Sequence, residues 1–231
     1  MDACVTARSF SRIKTKPTIF LWIEWTLLFV AVPLALRIFW QPSLFFVSLL
    51  IGTVTVFVWL LCLKKFDCRQ FWRGVSARGE MRQLKKIFLR FGVCSALIAA
   101  LVLFAFPGNF FNMPLESPTV WASVMLLYPL LSVYPQELIY RAFFFERYRK
   151  LFPSCWSCVL SSAIVFGLVH IIFQNPLAVV LTLVGGVFFA ETYARTRSLR
   201  LVWLEHALYG CLIFTIGLGE FFYHARVPAA H

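Results

Sequence analysis

Long runs of almost wholly apolar residues alternate along this chain with short polar stretches. A membrane-spanning helix needs about 20 predominantly apolar residues. Seven runs approach that length, at roughly 18–39, 43–63, 87–107, 119–140, 155–174, 176–195 and 200–222. The pattern predicts an all-α, polytopic transmembrane helix bundle of about seven to eight spans, the eighth being a re-entrant or tilted helix. No internal repeat, low-complexity segment or composition shift divides it, so residues 1–231 read as a single integral membrane domain.

Composition agrees. Of 231 residues, 61% are hydrophobic and only 14% are charged, against about a quarter charged in soluble domains. The net charge of +12 does not point to nucleic acid, because the cations lie between apolar runs. The tail before residue 17 holds four, 64–86 holds eight, 141–150 four and 195–200 three; Arg37, Arg90 and Arg226 fall elsewhere. Seven spans bring those four segments to one side, which the positive-inside rule makes cytoplasmic. The expectation is an integral protein of the bacterial inner membrane with a cytoplasmic N-terminus and lipid partners. The opening tail is polar for too long to read as a cleaved signal peptide. The aromatic and basic loop 64–86 reads either as an amphipathic segment on an anionic leaflet or as a solvated basic loop. The seven cysteines are scattered and odd in number, against a disulfide framework. "CWSC" at 155–158 reads as incidental.

Ionisable residues inside apolar spans are expensive and mark function by default. Gln136-Glu137-x-x-x-Arg141 puts a carboxylate and a guanidinium one turn apart on one helix face. Alone, this pair reads equally as a helix-end ion pair. "FGLVH" sets Phe166 one turn before His170, and "EHALYG" sets His206 one turn before Gly210. A carboxylate and two histidines from three helices suit water-mediated amide hydrolysis, with one group as general base and an imidazole donating to the oxyanion. The same set could ligate zinc, although HExxH is missing. Cofactor use stays open: none for a glutamate mechanism, zinc as the alternative. Glu205 is expected to snorkel to the interface, Glu191 to pair with Arg195, and Glu24 has no assigned role. A transporter using these groups as a proton relay lacks repeat symmetry.

The order Glu-x-x-x-Arg, Phe-x-x-x-His and a later intramembrane His resembles the CPBP family, the CAAX protease and bacteriocin-processing intramembrane proteases. The resemblance covers about residues 119–215 and includes the turn "YARTRSL" before the last histidine helix. It implies catalytic Glu137, His170 and His206, supported by Gln136, Arg141, Phe166 and Gly210, acting on a peptide or membrane-protein substrate near the cytoplasmic leaflet. Two positions depart. The family's leading glutamate is Gln136, which cannot be a general base, and its third-motif Asn or Asp is Gly210. The resemblance therefore also admits a catalytically silent scaffold, immunity or regulatory protein.

Overall fold

The computed structural model describes residues 18–39, 42–62, 72 and 74–222. Seven long helices run through them, with no strand among the described residues. They are α1 (Thr18–Ile38), α2 (Pro42–Leu61), α3 (Ala77–Ala105), α4 (118–148), α5 (Cys155–Phe173), α6 (Pro176–Thr196) and α7 (Leu199–Ile216). Five of them, α1, α3, α5, α6 and α7, are long and apolar enough to cross a membrane.

Several boundaries differ from those the apolar runs predict. Helix α3 begins at Ala77, ten residues before the expected span, because Ser76 caps it and its hydroxyl accepts from the Gly79 amide. The second half of the predicted basic loop is thus helical, while its remainder at 64–71 lies outside the described residues. The expected 107–118 loop carries two short helices, Pro107–Asn109 and Asn112–Glu116. Helix α7 stops at Ile216, where Gly217 takes φ +102° against the Asn109 backbone, a conformation and a close approach that suit glycine. Helix α4 continues to Tyr148, past the predicted end at 140.

Two prolines shape α4. Pro129 and Pro135 carry no N–H, so each removes an intrahelical hydrogen bond. The backbone widens to π-helical turns at Pro129–Val133 and Leu138–Phe143, the local response such breaks favour. The Trp203 indole on α7 donates to the Pro129 carbonyl at 2.7 Å. A second indole, Trp121 on α4, donates to the Thr215 hydroxyl at 3.0 Å. These contacts join α4 and α7 as an antiparallel pair.

Helices α5 and α6 pack closest. A Cβ on Gly186 would lie 3.1 Å from Ala163 Cα and 3.2 Å from its carbonyl oxygen, so the glycine lets two backbones approach in a way typical of membrane helices. Helix α3 joins this layer through polar contacts. Arg90 pairs with Glu191 at 3.0 Å and with Glu205, which also accepts from Thr192 Oγ1 at 2.6 Å. Gln83 donates to the same Thr192 at 3.1 Å. Glu205 is wholly buried, which corrects the expectation that it snorkels outward. Glu191 does pair with Arg195, at 2.8 Å.

The start of α1, the approach to α3, the end of α4 and the α6–α7 turn are linked by contacts at one end of the bundle. Ser198 Oγ donates to the Trp72 carbonyl at 3.0 Å, tying the approach to α3 to the α6–α7 turn. Trp22 near the start of α1 meets Phe152 beyond the end of α4, ring centres 5.8 Å apart. Arg197 lies over the Phe145 ring at 5.6 Å.

Removing one partner of a buried ion pair costs about 3–5 kcal/mol. Glu205→Ala leaves Arg90 with Glu191 as its carboxylate partner and Thr192 without its acceptor, and is expected to lower the thermal unfolding midpoint of the purified protein in detergent. Glu205→Gln, which keeps the Thr192 contact, is expected to lose less.

Candidate active site

The site is built where α4, α5 and α7 face one another. Glu137 and Arg141, both 0% exposed, lie one turn apart on α4. Glu137 Oε2 is 3.3 Å from Arg141 Nε, and Oε1 accepts from His206 Nδ1 of α7 at 2.8 Å. The carboxylate therefore serves a guanidinium and an imidazole at once. A buried carboxylate needs such partners to stay ionised, and the i, i+4 spacing supplies one of them locally.

Arg141 is held in turn by α5. Its Nη1 donates to the Ser162 hydroxyl at 3.2 Å and to the Tyr140 carbonyl at 3.3 Å, and Ser162 Oγ donates to that carbonyl at 2.8 Å. The guanidinium lies over the Phe166 ring at 4.6 Å, a favourable cation–π geometry. Phe166 also stands edge-on to both imidazoles, 4.7 Å from His170 and 5.4 Å from His206 between ring centres. This ring joins the two histidines. Phe189 of α6 stacks on His206 at 4.5 Å between ring centres.

His170 sits where α5 tightens into a final 3-10 turn. Its Nδ1 lies 2.6 Å from the Phe166 carbonyl oxygen. A carbonyl only accepts, so Nδ1 carries the proton and Nε2 keeps a lone pair. Gln136 donates from Nε2 to Ser132 Oγ at 2.8 Å, and its Oε1 has no hydrogen-bond partner among the described residues.

A cavity of about 690 Å³ opens between α1, α2, α4 and α5. Its walls are mostly apolar, but Gln136 and His170 line it, and Glu24 and Arg147 line it as well. Glu24, which had no assigned role, forms a two-pronged ion pair with Arg147 at 2.7 and 2.9 Å and accepts from Tyr148 at 2.7 Å. Arg147, counted from sequence among the basic residues of 141–150, is thus a lining residue. Glu137 and His206 lie behind the wall rather than on it. The structure brings Glu137, Arg141, Phe166, His170 and His206 into one contact network, seats Tyr128 between His206 and Gly210, and leaves Gln136 bonded to Ser132 of its own helix. It gives only Gln136 and His170 direct access to the cavity, with Glu137, the expected base, behind them.

The donor set does not fit a zinc ion. Glu137 and His206 spend their facing atoms on each other, and the His170 Nδ1 is turned to a carbonyl. Among the described residues no three His, Cys, Asp or Glu side chains converge as a metal site. At "CWSC", Cys158 is a buried free thiol and is not bonded to Cys155, so the two do not work as a pair.

Sequence reasoning did not single out Tyr128, Ser132, Ser162 or Phe189. Tyr128 places its hydroxyl 3.4 Å from His206 Nε2. These residue types are ordinary in apolar helices, and nothing local marks them. Only Gly210 gave a hint, as an open helix face in need of an occupant.

No curated protein and no solved structure matches the chain. The segment 118–212, which holds every one of the motif side chains from Gln136 to Gly210, matches the model of the family described as type II CAAX prenyl endopeptidase Rce1-like.

Proposed function

We propose that the protein is an intramembrane endopeptidase that hydrolyses a peptide bond of a membrane-associated substrate with a water activated by His170. The observation that carries this reading is the apolar cavity lined by a histidine whose Nδ1 is committed to a backbone carbonyl, which leaves its Nε2 lone pair for a water. The family supports hydrolysis as the reaction class.

A water in this cavity can give one hydrogen to His170 Nε2. Its oxygen lone pairs then face the scissile carbonyl. As the oxygen attacks, His170 takes the proton, and the resulting imidazolium returns it to the departing amide nitrogen. The Phe166 carbonyl, accepting from Nδ1, supports the positive ring. Glu137 acts from behind by fixing His206 and compensating Arg141, so its removal disturbs the whole cluster. Substrate is expected to enter from the bilayer, since the cavity walls from α1 and α2 are apolar. The positive-inside rule applied to the basic segments supports a cytoplasmic N-terminus and a bacterial inner-membrane setting. Lipids and a peptide or membrane-protein segment are the expected partners.

The test is cleavage of fluorescence-quenched peptides by protein reconstituted in lipid vesicles. One peptide ends in a prenylated Cys-aliphatic-aliphatic-X sequence, and the other is an unmodified apolar helix. His170→Ala is expected to slow cleavage by about 100-fold or more, and Glu137→Ala to do the same. A chelator is expected to leave the wild-type rate unchanged. If the wild type cleaves neither peptide faster than empty vesicles, the scaffold or regulatory reading takes its place.

Gln136→Glu adds a second proton acceptor at the wall. Its expected effect is a rate gain of about tenfold, read in the same assay above the range where that carboxyl titrates. An unchanged or lower rate means that the neutral amide is the form this site needs.

A further inference from the structure

Tyr128 lies on α4 just before Pro129 and reaches across to α7. Its hydroxyl is 3.4 Å from His206 Nε2, and its ring stands edge-on to His206 and to Phe214. The surface of α7 beneath it is a glycine. A Cβ on Gly210 would lie 2.5 Å from the tyrosine oxygen and 2.7 Å from Cζ, so no other residue fits there with the ring in place. His206 and Gly210 are one turn apart on the same helix face. The open face therefore seats the ring, and the next turn presents an imidazole to its hydroxyl.

We propose that Tyr128 is a positioning residue that holds His206 by donating its O–H to Nε2, and that Gly210 is what admits it. His206 Nδ1 meets the Glu137 carboxylate, which only accepts, so Nδ1 carries the proton. In the tautomer that donates from Nδ1 alone, Nε2 is the acceptor and the tyrosine the donor. Contacts at both nitrogens, with Phe189 against one face, leave the imidazole one orientation. The 3.4 Å separation is long for such a bond, as unliganded sites often are before substrate tightens them. The departure at position 210 is then an exchange: the polar group comes from α4, as a phenol, instead of from α7. This inference rests on the hydrolytic reading for its effect on rate, but the contact itself does not.

The experiment uses Tyr128→Phe, which keeps the ring over Gly210 and removes only the hydroxyl. Protein labelled with ¹⁵N-histidine is compared with the same variant, and His206 is assigned from the signals missing in His206→Gln. The expected result is a His206 Nε2 signal displaced toward that of an unbonded acceptor. Cleavage in the vesicle assay is expected to fall about tenfold in kcat with KM within about twofold. Gly210→Ala, which retains the hydroxyl but displaces the ring, is expected to reproduce both changes. An unchanged Nε2 signal in Tyr128→Phe overturns the proposal, as does an effect confined to KM. If the wild type itself cleaves nothing, the hydrolytic reading fails alone, and the nitrogen signals still decide the contact.

Discussion

The interaction on which the rest depends is the burial of one carboxylate. Glu137 is fully enclosed in a helix bundle where an isolated charge is several kcal/mol too costly to keep. It stays only because Arg141 comes from its own helix and His206 from another. That requirement fixes the register of α4 against α7, and Arg141 in turn draws in Ser162 and the Phe166 ring of α5. Phe166 then carries His170 by its carbonyl and borders both imidazoles with its ring. Chemistry at the cavity wall is thus supported by electrostatics one layer behind it.

The α3–α6–α7 contact repeats this logic at a second place. Glu205 is buried one residue before His206 and is held by Arg90 and Thr192. Two neighbouring residues of α7 therefore commit to opposite sides, one to α3 and α6, the other to α4. Rotation of α7 about its axis would break both sets of contacts together. Such double anchoring suits a helix whose imidazole must point in one direction.

Much of this was legible in the sequence. The seven apolar runs marked the helices, because hydrophobic length is a local property. The motif residues stood out because charge is rare in such runs, and the structure brings Glu137, Arg141, Phe166, His170 and His206 into mutual contact. What sequence did not disclose depends on pairing between distant segments. The snorkelling expectation for Glu205 failed because Arg90, on a helix more than a hundred positions earlier, reaches it. Glu24 had no role until Arg147 was seen beside it. Tyr128 was invisible because a tyrosine in an apolar helix carries no distinguishing pattern. The separation of Glu137 from the cavity follows from the turn-by-turn path of α4, which its prolines widen in a way helical periodicity does not foresee.

The cavity has two walls of different origin. Gln136, Tyr140 and His170 come from the segment 118–212, whereas Leu28, Gly52 and Trp59 come from α1 and α2, outside it. The cluster of Glu137, Arg141 and His206 and most of the apolar surface in front of it are therefore encoded in separate stretches of the chain. Substitutions of apolar residues in the first two helices can reshape the chamber while leaving that cluster intact, whereas Glu24, paired with Arg147, ties the two stretches together. The outline of the chamber and the buried charges behind it are in this respect free to vary apart.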